Sequence, residues 1–214
     1  MPDIEELQPE TRHALRVATK VLAGEFSGVF GTETIEAFLA SSYDQFATNA
    51  SVTNFLPLIA ERFARQRLRA LAIVEGRSQS GVPTVLFLCV HNAGRSQMAL
   101  GWFSRLAGDR ATGWSGGSEP GTEVNPSSIA AMAEVGVDIT QEFPKPWTSE
   151  IVQAADVVVT MGCGDACPFF PGTRYEDWDL EDPAGQDVAA VRPIRDDIEQ
   201  RVRALLESLD VSVR

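Results

Sequence analysis

The period of the apolar positions changes near residue 80. Before that point apolar residues recur every three to four positions, the spacing of a helix that buries one stripe. Leu15, Ala18, Val21 and Leu22 mark a first helix over residues 8–23. After Gly31, Thr32 is placed as the N-cap of a second helix, which carries Ile35, Phe38, Leu39 and Phe46. Phe55, Leu58, Ile59 and Phe63 define a third, from about Asn54 to about Ile73. The polar stretch EGRSQSGVP (75–83) reads as a linker, and beyond it short apolar runs alternate with helical patterns. TVLFLC (84–89) has the continuity of a strand buried on both faces, RSQMALGWFSRLAG (95–108) is a helix stopped at Gly108, and ATGWSGGS (111–118) is a second strand. Helices are expected over Ser127–Glu134, after the loop EPGTEVNP, and around Thr148–Ala154. Strands follow at ADVVVTM (155–161) and near RYEDWDL (174–180). Val188, Val191, Ile194, Ile198, Val202 and Leu205 give a closing helix from Gln186 to Leu209. This order predicts an α/β fold: a four-stranded parallel sheet flanked by helices with right-handed crossovers, preceded by an N-terminal three-helix bundle. The expected domains are 1–78 and 83–214.

Three helices in so short a segment bury little apolar surface alone, so the first domain is expected to pair with a second copy, giving a homodimer. Its third helix carries Arg62, Arg65, Arg67 and Arg69. A solvated face is the expected reading, ahead of a basic recognition helix. The net charge of −12 falls mostly on residues 81–214 and disfavours nucleic acid as a partner. No apolar run approaches the ~20 residues that span a bilayer, and MPDIEELQPE has no signal-peptide character, so no membrane association and a cytoplasmic location are expected. Three cysteines are too few for a secreted disulfide framework. Cys89, Cys163 and Cys167 all fall where a parallel sheet places its reactive groups, beyond the carboxyl ends of strands.

The loop CVHNAGRS leaves a strand at Cys89 and enters a helix at about Arg95. Val90, His91, Asn92, Ala93 and Gly94 form a short connection whose amides can cradle an anion at a helix N-terminus. Arg95 adds a planar fork of donors for two oxygens of a tetrahedral oxyanion. The same positive surroundings favour the Cys89 thiolate, the form that attacks, and Ser96 can donate a hydroxyl to the sulfur. Asn92 tolerates left-handed geometry and can brace the loop, while His91 is expected to shape the rim rather than act as a base. The plain alternative, a core cysteine and a surface arginine, does not account for the strand, loop and helix setting.

CVHNAGRS after VLFL and before SQMALGWF, with SGGSEPGTEVNPSSIAAMAEVGVDIT (115–140) downstream, resembles the low-molecular-weight protein tyrosine phosphatase fold. Within that fold it is most similar to arsenate reductases of the thiol-linked type. The resemblance covers roughly residues 83–210. It implies that Cys89 is the nucleophile and that Asp182, in EDPAG, is the acid that protonates the departing oxygen. The neighbouring Asp177, Asp179 and Glu181 are expected to be solvated. It also implies that Cys163 is the resolving thiol and Cys167 the outermost one, a relay on a loop made supple by Gly162 and Gly164. Arsenate would be the substrate, with phosphate or sulfate able to occupy the same loop, and thioredoxin the reductant.

Three departures qualify this resemblance. Only Gly164, Asp165 and Ala166 separate the last two cysteines, an interval shorter than in thioredoxin-linked members, which keeps a low-molecular-weight thiol such as mycothiol open as the reductant. Leu100 stands where some members place a potassium-binding Glu, so no such ion is expected. Ala184 and Gly185 replace the aromatic pair that follows Asp-Pro in phosphatases, which favours a small inorganic oxyanion over phosphotyrosine. Zinc at the C-x3-C pair is disfavoured, since the two histidines are His13 and His91, and no other metal or cofactor is expected. The alternatives kept are a phosphatase, a binding or regulatory module, and Cys163 and Cys167 as inert turn residues.

Overall fold

A computed structural model describes residues 7–47, 55–78, 81–162 and 169–213. The chain divides into two compact units, Met1–Gln79 and Ser80–Arg214.

The first unit holds α1 (Pro9–Glu25), α2 (Thr32–Ala47) and α3 (Leu56–Val74). Leu15, Ala18 and Leu22 are buried as the spacing predicts, but Val21 is exposed. Helix α2 begins at Thr32 itself, one residue earlier than a cap there allows, and Phe38 and Phe46 are only half-buried. The larger correction concerns α3. Phe55 and Leu58 are exposed, while Leu56, Ala60, Phe63, Ala64 and Leu68 form the buried stripe. A search for bulky residues passes over the alanines, yet a small side chain on the contact face lets two helices approach closely.

Of the four arginines of α3, Arg65 and Arg67 are half-buried and Arg69 is exposed, and all three make contacts within the unit. Arg65 donates to Glu25 and to Glu61 (both 2.6 Å), and Arg69 donates to Glu25 (2.6 Å), tying α3 to α1. Burial opposes charge on Glu25, but the hydrogen bonds from Arg65 and Arg69 outweigh it and hold the carboxyl below its usual range. Arg67 lies over the Phe38 ring at 4.6 Å and donates to Ser41 (2.8 Å) and Ser42 (3.2 Å). These contacts use the cations within the unit.

In the second unit β1 (Thr84–Cys89), β2 (Thr112–Gly117), β3 (Val157–Met161) and β4 (Arg174–Asp177) form one parallel sheet in the order β2-β1-β3-β4. Strand β1 is central and buried along its whole length, as TVLFLC predicts. Side chains alternate across a strand. Val85, Phe87 and Cys89 therefore share one face, in a core with Met98, Phe103, Trp178, Ile198 and Val202, while Leu86 and Leu88 are buried on the other. Phe87 meets Phe103 edge-on at 5.5 Å. Helix α4 (Arg95–Ala107) packs on β1 and β2 and against α7 (Val188–Ser208). Helix α7 also packs on α5 (Pro126–Glu134), where Arg195 donates to Ala131 O near the end of α5 (2.8 Å). A short α6 (Ser149–Gln153) leads into β3. Among the described residues no helix is long and apolar enough to cross a membrane.

The last residue of β1 is Cys89, paired in register with Gly117 of β2 and Met161 of β3. The thiol therefore sits at the carboxyl edge of the sheet, at the end of its inward-facing row. Cys163 and Cys167, expected beyond β3, lie outside the described residues.

Candidate active site

The chain must turn from β1 into α4 within Val90–Gly94, and buried hydrogen bonds hold that turn. Asn92 adopts φ 47°, left-handed geometry that asparagine tolerates. Its backbone N–H donates to Cys89 Sγ (3.2 Å) and its Nδ2 to Ser96 Oγ (2.8 Å). Ser96 Oγ lies 3.0 Å from the same sulfur. Asn92 Oδ1 accepts from Lys145 N (3.0 Å) and from Gln97 Nε2 (3.2 Å), which also donates to Asn92 O and Phe143 O. Asn92, Ser96 and Gln97 are fully buried, where such bonds are costly to lose.

The carbonyls of the loop are taken up elsewhere. Val90 O, His91 O and Ala93 O accept from Glu119 N (2.9 Å), Gly121 N (2.9 Å) and Asn125 N (2.8 Å). An anion-binding turn requires this, because a carbonyl facing the guest would repel it. Two glycines are set by close approach. A Cβ on Gly117 would lie 2.6 Å from Val90 O, and one on Gly94 would lie 2.5 Å from Pro183 Cγ.

Arg95 opens α4 and reaches across to the segment after β4. Its Nη2 donates to Asp182 Oδ2 at 2.7 Å, with the arginine side chain 11% and the aspartate 51% exposed. Asp182 Oδ1 accepts from Ala184 N (3.0 Å), and Gln186 Nε2 donates to Asp182 O (2.7 Å). Gly162, at φ 76°, approaches the guanidinium closely, and a Cβ there would lie 3.0 Å from Arg95 Nη1. His91 is exposed at the rim, Nδ1 3.0 Å from Glu119 O.

These groups enclose a cavity of about 40 Å³. Cys89, His91, Ala93, Gly94 and Arg95 line it on one side, with Asn125, Asp182, Pro183 and Ala184 on the other. One buried water needs roughly 10–15 Å³ by this measure, so the space suits a guest of a few atoms. A larger open groove, with Leu100, Arg105, Val137 and Glu142 among its walls, contains none of these groups. Among the described residues no group of three or more His, Cys, Asp or Glu is placed to hold a metal ion. Leu100 is buried.

The structure thus gathers Cys89 and Arg95 of one loop with Asp182, 87 residues beyond Arg95, around one small cavity, with Asn92 and Ser96 hydrogen-bonded to the sulfur. It adds Gln97, Asn125 and the backbone of Lys145. The chain pattern gave no sign of Gln97, whereas Asn125 stood in a legible Asn-Pro pair. Asn125 Oδ1 accepts from Ser128 N (2.9 Å) as the cap of α5, and Pro126 opens that helix.

Residues 84–214 match the family described as low molecular weight phosphotyrosine protein phosphatase. The chain belongs to that family. Residues 15–72 match a protein-tyrosine-phosphatase-like N-terminal domain. The thioredoxin-dependent arsenate reductase of Corynebacterium glutamicum is similar in structure, with a TM-score of 0.83 and 43% identity, over 92% of this chain and 97% of that one. Arsenate reductase 2 of Staphylococcus haemolyticus is 38% identical over 125 residues, 56% of this chain and 94% of the relative. A tyrosine phosphatase of Erwinia amylovora matches at a TM-score of 0.54 and 17% identity, over 60% of this chain and 93% of that one, a likeness of fold alone. Arsenate reductases are thus among the relatives similar in sequence.

Proposed function

We propose that this protein reduces arsenate to arsenite with Cys89 as nucleophile, Asp182 as general acid and Cys163 and Cys167 as a thiol relay. One observation carries the reading. A buried thiol approached by an amide and a hydroxyl lies on the same small cavity as a guanidinium already paired with a carboxyl group. Similarity to arsenate reductases gives the substrate.

The guest anion competes with Asp182 for Arg95, and two N–H donors of the guanidinium can take two of its oxygens. Sulfur of the Cys89 thiolate bonds to arsenic, one oxygen departs, and the Asp182 carboxyl supplies a proton so that it leaves as water. Asn92 N–H and Ser96 Oγ hold the sulfur in place for this attack. The Cys163 thiolate then attacks Cys89 sulfur. A disulfide forms, and the sulfur–arsenic bonding pair passes to arsenic, which falls from As(V) to As(III) and leaves as arsenite. Cys167 next attacks Cys163, frees Cys89 and leaves a Cys163–Cys167 disulfide for thioredoxin to reduce. A thiol cycle of this kind needs a reducing compartment such as the cytoplasm.

The test is arsenate-dependent oxidation of reduced thioredoxin by the intact chain. Turnover that vanishes in Cys89→Ser supports the reading. Brisk hydrolysis of an aryl phosphate with no arsenate-dependent thiol oxidation contradicts it and favours a phosphatase. Turnover with mycothiol and a glutaredoxin-like protein, but not with thioredoxin, changes the reductant alone.

The first unit is proposed to pair with a second copy. Val17 and Val21 stand one helical turn apart on α1, both 47% exposed, and support this pairing. A dimer mass for the intact chain, reduced to that of a monomer by Val17→Glu with Val21→Glu, is expected. A monomeric intact chain contradicts it.

A further inference from the structure

The N-terminus of α5 touches both halves of the cavity. Asn125 donates its backbone N–H to Ala93 O of the oxyanion loop (2.8 Å) and its side-chain Nδ2 to Pro183 O beside Asp182 (3.2 Å). Two residues on, Ser127 Oγ donates to Gln186 O (2.8 Å). The Pro183 ring packs so closely on Gly94 that a Cβ there would lie 2.5 Å from it. One helix end therefore holds the acid segment at two carbonyls and the oxyanion loop at a third.

Capping α5 uses only one face of the Asn125 side chain, the Oδ1 that accepts from Ser128 N. Serine, threonine or aspartate would cap as well. An amide differs in having a donor to spare on the same side chain, and here that donor goes to Pro183. The Asp182 carboxyl itself is half exposed and accepts from Arg95 and from Ala184 N within its own loop. A guest anion draws on the same guanidinium. Once Arg95 turns to the guest, the Ala184 N–H holds the carboxyl within its loop, and the ties at Pro183 and Gln186 set where that loop stands.

We infer that Asn125 is a positioning residue for the proton transfer: through Pro183 it holds Asp182 opposite Cys89, with Ser127 as a second tie. This rests on Asp182 being the acid. The distinguishing variant is Asn125→Ser, which keeps an oxygen for the cap but is too short to reach Pro183.

The experiment follows arsenite formed in a single turnover of the fully reduced, full-length chain, with no external reductant. Asn125→Ser is expected to slow that step about tenfold, the scale of one hydrogen bond felt in the transition state. Arsenate affinity changes by less than about twofold and the melting temperature by no more than a few degrees, because the oxyanion loop and the cap are intact. Ser127→Ala shows the same pattern with a smaller loss. In an Asp182→Asn background both substitutions change the rate by less than about twofold, since there is no acid left to place. An unchanged rate in Asn125→Ser overturns the inference. An equal loss in both backgrounds also overturns it, because the residue then acts on the helix or on Ala93. If Asp182→Asn alone leaves the rate intact, the acid assignment fails first and takes this inference with it.

Discussion

Two loops meet at the cavity, and they are held in opposite ways. Residues 90–97 are fastened from behind: Asn92, Ser96 and Gln97 are fully buried and bonded to one another, to Cys89 Sγ and to the backbone of Lys145 and Phe143. Residues 180–186 lie near the surface and are held by a few ties at Pro183 and Gln186 and by an Arg95 contact that a guest anion can compete for. Burial makes the first geometry expensive to change. The second can shift slightly at little cost. A nucleophile must stay in place through successive attacks, whereas an acid must release its partner, give a proton and recover. The difference in construction fits the tasks proposed for Cys89 and Asp182.

Substitutions can break this contrast, and the largest effect is expected at the sulfur. Cys89→Ser removes arsenite formation altogether in single-turnover assays while the oxyanion still binds. Asp182→Asn slows arsenite formation about 10²–10⁴-fold, the usual worth of a general acid, and leaves the melting temperature unchanged. A marked loss of stability would mean that the acid loop is structural after all. Arg95→Lys keeps the charge but loses the planar fork, and is expected to cost about 10²–10³-fold in rate, with much weaker binding of arsenate or phosphate by calorimetry. Gln97→Leu tests the other side of the contrast. It leaves buried acceptors on Asn92 and Phe143 without their donor and lowers stability by about 1–3 kcal/mol in urea denaturation, with a smaller effect on chemistry. His91→Ala, at the exposed rim, changes the rate by about twofold or less, the range of an ordinary surface substitution. A large loss there would give His91 a part in proton transfer.

Much of this arrangement was legible in the chain, for physical reasons that differ by residue. Strand β1 matches TVLFLC residue for residue because a strand buried on both faces leaves an unbroken apolar run. Cys89, Arg95 and Ser96 could be placed because strand, short loop and helix bring them to one sheet edge whatever the details. Gln97 was not legible. A buried polar residue is written in the same letter as an exposed one, and only its partners, here Asn92 and Phe143, distinguish them. Asn125 was half legible: Asn-Pro marks a helix start, but the bond to Pro183 joins residues 58 apart. In the first unit the buried alanines of α3 give no signal of their own, and the bulky Phe55 and Leu58, which the spacing places on the inner face, are exposed. Gly94 has a φ of −122°, so the close Pro183 ring, rather than a left-handed turn, accounts for glycine there.

The most direct measurement mixes fully reduced protein with one equivalent of arsenate and no reductant, then counts arsenite and maps the thiols by mass spectrometry. The mechanism predicts one arsenite per chain and a disulfide between Cys163 and Cys167, with Cys89 returned to the free thiol. Arsenate left unreduced, with all three thiols intact, would contradict it.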